Sequence, residues 1–183
     1  IETNRAKLFY NVTKFVDLFG AEKISNQDLL FEENELSFND ENLFYQKYDK
    51  WNNIETLTNE LDVIGFYFSD HPLNHYPKLF FEYKNIKLFK DIASNNEIST
   101  SKVCGAILDI KERSNKDGRK YAFITVSEIN TQYELTIFGE NLYKYRSLLK
   151  EGNILIFDID ILRTSSDNRF VIKNVSFLEN IFI

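Results

Sequence analysis

The sequence predicts an α+β protein, in which N-terminal helical segments are followed by a five-stranded β-barrel. Three observations carry this. Up to about residue 97 the ordered-looking stretches repeat their apolar residues at helical spacing. After about Thr100 the apolar period changes from 3.6 to 2. The strand-like runs of that second half number five, and one helical run separates the third from the fourth.

In chain order, Leu8, Val12, Phe15, Val16 and Phe19 fall on one helical face, and Gly20 supplies a stop. Residues 1–20 therefore read as the last helix of a helical domain. Residues 21–47 lose periodicity and become acidic and Asn-rich, with Glu32, Glu33, Glu35, Asp40 and Glu41, which is the composition of a linker. Trp51, Ile54, Leu57, Leu61 and Ile64 restore helical spacing up to Gly65, and a further short helical run covers about Ile86 to Ala93. Residues 48–97 form a helical connector on this reading.

Residues 98–183 then supply the barrel. "KVCGAILDIKERS" is a long apolar strand, "NKDG" a turn around Asp117 and Gly118, and "RKYAFITVSE" a second strand that alternates Tyr121, Phe123 and Thr125 with Ala122, Ile124 and Val126. "QYELTIF" is a third strand. "GENLYKYRSLLKEG" reads as a helix with Leu142, Tyr145, Leu148 and Leu149 on one side, and "NILIFDIDILR" and "NRFVIKNVSFL" complete the set. Three strands, a helix and two strands is the order of an OB-fold, a closed Greek-key barrel.

Composition narrows the function classes. With 43% apolar residues and 15% aromatics, 183 residues can bury one good core or two modest ones. Cys104 stands alone, which excludes a disulfide framework and fits a reducing, cytoplasmic location. No signal peptide or membrane span is evident. The first residue is Ile and Met is absent, as expected of a piece of a longer polypeptide. Charge is divided unevenly. Residues 1–100 carry ten Lys and Arg against seventeen Asp and Glu, while residues 101–183 carry twelve against eleven. An acidic half is a poor partner for a phosphate backbone, so any contact with nucleic acid belongs to the barrel.

Both histidines lie in "GFYFSDHPLNHY". His71 and His75 at i and i+4 with Asp70 beside them suggest a metal or acid-base site, yet no third ligand has suitable spacing. Ser69 or Asp70 is placed to cap a helix that starts at Pro72, and His71 to bond locally or pack on Tyr67 or Tyr76. The stretch reads as a hinge, and no metal, cofactor or catalytic residue is assigned.

Two sites remain. An OB barrel takes single strands on the face of strands two and three, between the loops joining strands one to two and four to five. Here that region offers Lys111, Arg113, Lys116, Arg119 and Lys120, the rings of Tyr121 and Phe123, and Arg163 and Arg169 from the other loop. Cations track phosphates and aromatic faces stack on bases. The competing reading is a solvated hairpin whose aromatics pack on the barrel. The second site is "QDLLF" in the acidic linker, where Leu30 and Phe31 have no core to join and Gln27 can hydrogen-bond in a partner's cleft.

Together these stretches resemble one family. "GFYFSDHPLNHY" is similar to a G-x-Y-x-S/T-G-H-P-x-x-x-Y segment of bacterial replicative DNA polymerase III alpha subunits, with Asp70 where the family has Gly. "AFITVSEINTQYELTIF" and "YRSLLKEGNILIFDIDI" resemble their OB domain, and "QDLLF" resembles the sliding-clamp-binding peptide carried upstream of it. The resemblance implies the end of a helix-hairpin-helix domain, a clamp peptide, a connector and an OB domain. It also implies a parent DNA-directed DNA polymerase with a two-metal magnesium site that lies outside this chain. The implied partners are single-stranded DNA, the sliding clamp through Gln27, Leu30 and Phe31, and other replisome subunits. Two alternatives stay open: an anticodon-type RNA-binding OB module, and a protein-interaction barrel without nucleic acid.

Overall fold

The structure is a computed structural model that describes residues 4–12, 49–163 and 168–178. The chain divides into two compact units, Ile1–Glu55 and Thr56–Ile183. In the first, residues 5–12 are helical, and Phe9 sets its ring edge-on to Tyr10 and Trp51 at 5.5 and 5.6 Å. The helix expected through Phe19 and the whole acidic linker, including Gln27, Leu30 and Phe31, fall on positions 13–48, outside the described residues.

Helix α1 spans Asn53–Ile64. Its start is fixed by a reciprocal cap. The Glu55 amide donates to Asn52 Oδ1 at 2.8 Å and the Asn52 amide donates to Glu55 Oε2 at 2.9 Å, so two orphan N–H groups are satisfied at once. Gly65, at φ +78°, ends it by donating to the Leu61 carbonyl at 2.9 Å. A 3-10 turn at Pro72–His75, α2 at Lys78–Tyr83 and α3 at Phe89–Ser94 complete the helical layer. The periodicity argument missed α2 because six residues make too few turns to show a period. It also began α3 early: Ile86 closes a turn behind Asn85, which sits at φ +54°.

The barrel comprises β1 Thr100–Ser114, β2 Lys120–Glu128, β3 Thr131–Phe138, β4 Ile154–Arg163 and β5 Asn168–Phe177, with α4 at Gly139–Tyr145 between β3 and β4. It closes in the order β1-β2-β3-β5-β4, with β3 meeting β5 in parallel at Thr136 and Val171. This is the predicted OB-fold. α4 is shorter than expected. After Tyr145 the chain continues in turns, Leu148 and Leu149 donating back to the Tyr145 carbonyl, and the apolar face still buries Leu142, Tyr145 and Leu149.

β1 serves two partners. Residues up to Ala106 pair with β4 and those from Ala106 onward with β2, so the strand must bend where it changes neighbour. Gly105 stands at that bend, and a Cβ there would collide with the Val126 side chain and lie 2.5 Å from the Ser127 carbonyl oxygen. From Val103 to Leu108 the strand is buried on both faces. Val103 and Ile107 join Ile124, Leu135, Phe157 and Ile172 in the barrel interior, while Cys104 faces outward with Ile156 against Leu73, Ile86 and Leu178. That two-sided burial explains why β1 reads as a continuous apolar run rather than an alternation. Each such side chain contributes about 1.5–3 kcal/mol, and the outer cluster fastens the helical layer to the barrel wall.

Candidate functional site

The β2-β3 hairpin turns through two residues, Ile129 and Asn130, and its register sets the chemistry of the outer face. Tyr121 lies opposite Phe138, Phe123 opposite Thr136 and Thr125 opposite Glu134. On the other side of β2, β1 brings Arg113 against Tyr121, Lys111 against Phe123 and Asp109 against Thr125. Three rows therefore cross the three strands: Arg113, Tyr121, Phe138; then Lys111, Phe123, Thr136; then Asp109, Thr125, Glu134. Cations and rings gather at the end nearest the β1-β2 turn, and carboxylates at the other.

Above this face opens a cleft of about 1440 Å³. Tyr121 is edge-on to Phe123 at 5.4 Å and tilted 35° against Phe138 at 6.0 Å, which makes a stepped aromatic platform. The far wall belongs to Phe89, stacked on Tyr133 at 4.0 Å and 4° and edge-on to Phe170 at 4.6 Å. Phe89 is held there by its amide, which donates to the Glu128 carboxylate at 3.2 Å. Burial pushes the Glu128 carboxyl up from its usual range.

Of the nine residues expected to bind nucleic acid, the cleft collects Arg119, Lys120, Tyr121, Phe123 and Arg169. Among the described residues Arg119, Lys120 and Arg169 form no ion pair. The β1-β2 turn that presents the first two is internally braced. Asn115 Oδ1 accepts from the Asp117 and Arg119 amides at 3.1 and 2.8 Å, and Gly118 takes φ +76°. Lys111 and Arg113 share the face of Phe123 and Tyr121 without lining the cleft, and Lys111 is held by Asp109 at 2.8 Å. Lys116 stands exposed in the turn, also outside the lining.

Arg163 departs from the expectation. Its Nη2 donates to the carbonyls of Ile92 at 3.2 Å and Ile98 at 3.5 Å, and to that of Asn95, so its guanidinium closes the C-terminal end of α3 instead of facing the cleft. The last carbonyls of a helix lack backbone donors, and a guanidinium is a natural substitute. Arg163 is therefore removed from the cleft and assigned to the fold.

Sequence reasoning missed Phe89, Tyr133, Phe138, Tyr143 and Phe170 in the cleft walls. Phe138 was recoverable, since a two-residue turn after Glu128 dictates its position opposite Tyr121. Phe89 was not, because nothing local shows that a connector residue stacks inside the barrel mouth.

The histidine segment is a brace, in correction of the hinge reading. His71, not Ser69 or Asp70, caps the 3-10 turn: its Nδ1 accepts from the Leu73 amide at 3.2 Å. The proton is thereby placed on Nε2, which donates to Ser127 Oγ at 3.1 Å. His71 also packs edge-on to Tyr67 at 5.4 Å, as anticipated. With both ring nitrogens committed, burial holds its pKa down at about 4. Asp70 accepts from Asn74 and from the His71 amide, at 2.7 Å each, and these bonds hold its carboxyl below the usual range. Glu60, itself buried, accepts from the Phe68 and Ser69 amides at 2.8 and 2.9 Å. Among the described residues no group of three His, Cys, Asp or Glu side chains is arranged to hold a metal ion, and no helix is long and apolar enough to cross a membrane.

No protein-family model matches the chain. Among curated proteins it is similar to "DNA polymerase III subunit alpha" of Rickettsia bellii, 27% identical over 185 residues that cover 98% of this chain and 15% of that one. The corresponding protein of Borreliella burgdorferi is 26% identical over 165 residues, 85% of this chain and 14% of that one. That of Caulobacter vibrioides is 26% identical over 125 residues, 68% and 11% respectively. The chain thus spans about a seventh or less of the length of these relatives. Among solved structures, a mitochondrial single-stranded DNA binding protein of S. cerevisiae aligns with a TM-score of 0.39 at 18% identity, covering 45% of this chain and 96% of that one. The second OB-fold domain of replication protein A from Methanococcus maripaludis aligns with a TM-score of 0.34 at 18% identity, covering 47% and 89%.

Proposed function

We propose that this chain, a relative of bacterial DNA polymerase III alpha subunits, is a non-catalytic part of such a subunit that binds single-stranded DNA in the cleft over β2 and β3. The observation that carries the reading is the platform of Tyr121, Phe123 and Phe138, flanked by Arg119, Lys120 and Arg169, which form no ion pair among the described residues. Unpaired bases stack on such rings at about 1–3 kcal/mol each, while a duplex keeps its bases stacked on one another. The three cations neutralise the backbone that joins them. A protein-only barrel has no need of that pairing of rings and free cations.

The linker peptide completes the proposal. Gln27, Leu30 and Phe31 dock on the sliding clamp, with the two apolar side chains in its pocket and Gln27 fixing the register. Support comes from the resemblance of "QDLLF" to the family's clamp peptide and from its place ahead of the connector. Micromolar binding corresponds to about −8 kcal/mol. The parent enzyme's nucleotide transfer and magnesium site are assigned to residues beyond this chain. Titration with single-stranded DNA, duplex DNA and tRNA tests the reading. Preference for the single strand is expected, and preference for tRNA transfers the cleft to the anticodon-type alternative.

A further inference from the structure

The cleft is lined by two carboxylates that single-strand binding does not call for: Glu140 opens α4 just after Phe138, whereas Glu134 lies on the strand face that carries Phe123 and Thr136. Glu134 projects from β3 into the cleft, between Gln132 and Thr136 on the same face, and stands one register step from the Phe123-Thr136 pair. A diagonal neighbour of this kind lies about 7–8 Å away, close to the width of a base. A carboxylate repels the phosphates that Arg119, Lys120 and Arg169 attract, so it does not serve the backbone. Among the described residues Glu134 has no ion pair; the Lys111 ammonium, bound to Asp109 at 2.8 Å, interacts with it only through longer-range electrostatics.

We infer that Glu134 makes the cleft selective among bases, favouring guanine and disfavouring thymine. The inference rests on the single-strand reading of the cleft. With the backbone along the cationic end, a base stacked on Phe123 points its edge toward the acidic row. Guanine presents two adjacent donors there, N1–H and the N2 amino group, which a carboxylate accepts together in a fork. Cytosine and adenine present one amino donor beside a ring nitrogen acceptor. Thymine presents N3–H between two carbonyl oxygens, and both oxygens repel the carboxylate. A good bidentate contact to a base edge is worth about fivefold or more in discrimination.

The test compares short oligonucleotides on the whole chain by fluorescence anisotropy in lithium buffer, which suppresses guanine quadruplexes. Alternating (dG-dT)6 should bind about fivefold or more tightly than (dT)12. Replacing each guanine by hypoxanthine, which lacks only the N2 amino group, should give an intermediate affinity. Glu134→Gln should bring (dG-dT)6 down to the level of (dT)12 while (dT)12 binds as well as before or better. Equal binding of the two sequences by the parent chain, or an unchanged preference in the variant, overturns the inference and leaves the cleft reading standing. Failure of every oligonucleotide to bind overturns both.

Discussion

His71 and Ser127 lie 56 positions apart, and a single bond of 3.1 Å between imidazole Nε2 and hydroxyl ties the helical connector to the second barrel strand. Because the same ring accepts the Leu73 amide through Nδ1, protonation must break one of the two bonds. The folded chain holds the ring's pKa down at about 4, against 6.5 for an unperturbed imidazole. Between these values the unfolded state binds more protons, so stability should fall as the pH drops from about 6.5 to 4. Glu128, raised by burial, takes up its proton earlier in the folded state and offsets part of the fall at the acidic end. Urea titrations from pH 7 to 4 should show a shallower decline for His71→Asn. At pH 7 that variant should already be less stable by about 1–3 kcal/mol, since Ser127 loses its partner.

Gly105→Ala should be among the most damaging single-methyl additions in the molecule. The new Cβ meets the Val126 side chain and the Ser127 carbonyl of the paired strand, and backbone cannot swing aside as a lysine tip could. A loss of about 1–3 kcal/mol, the cost of overpacking, is expected in the denaturation midpoint. Gly118→Ala meets no neighbour within 4 Å and should cost only the strain of its φ of +76°.

Arg163→Ala separates the structural arginine from the binding ones. The Ile92 and Asn95 carbonyls at the end of α3, and that of Ile98 beyond it, lose their donor, so stability should drop by about 1–3 kcal/mol. The salt dependence of DNA binding should stay unchanged. An intact fold with a reduced salt slope would return Arg163 to the cleft.

What the sequence discloses and withholds follows from range. The alternation of Tyr121, Phe123 and Thr125 with Ala122, Ile124 and Val126 is a local pattern, and the inner three are fully buried as predicted. The succession of five strands along the chain and the helix between the third and fourth were likewise legible, since each element is written in consecutive residues. Arg163 was misassigned because a cation near a loop looks the same whether it faces solvent or a helix end seventy residues back. Phe89 and Ser127 owe their roles to pairings between the connector and the barrel, which no spacing rule records. β1 looked like a plain apolar run because both its faces are covered, a property of the fold and not of the strand.

Leu30→Ala with Phe31→Ala tests the linker. Full burial of the two side chains in a partner is worth about 3–6 kcal/mol, so micromolar clamp binding should become undetectable by surface plasmon resonance. The melting temperature and the affinity for single-stranded DNA should hold. A melting point lowered by several degrees would place both residues in a core and end the docking assignment.

The central claim, that a single strand lies along the platform beneath Arg119, Lys120 and Arg169, is tested most directly by the salt dependence of oligonucleotide binding. For the parent chain the logarithm of the association constant for (dT)12 should fall with the logarithm of salt concentration at a slope of about −2, from three neutralised phosphates at roughly −0.7 each. Replacing the three cations together by Ala should bring the slope close to zero, while Tyr121→Ala should lower the affinity by about tenfold or more and leave the slope alone. A slope that survives the triple substitution, or a stronger affinity for duplex than for single strand, would contradict the account.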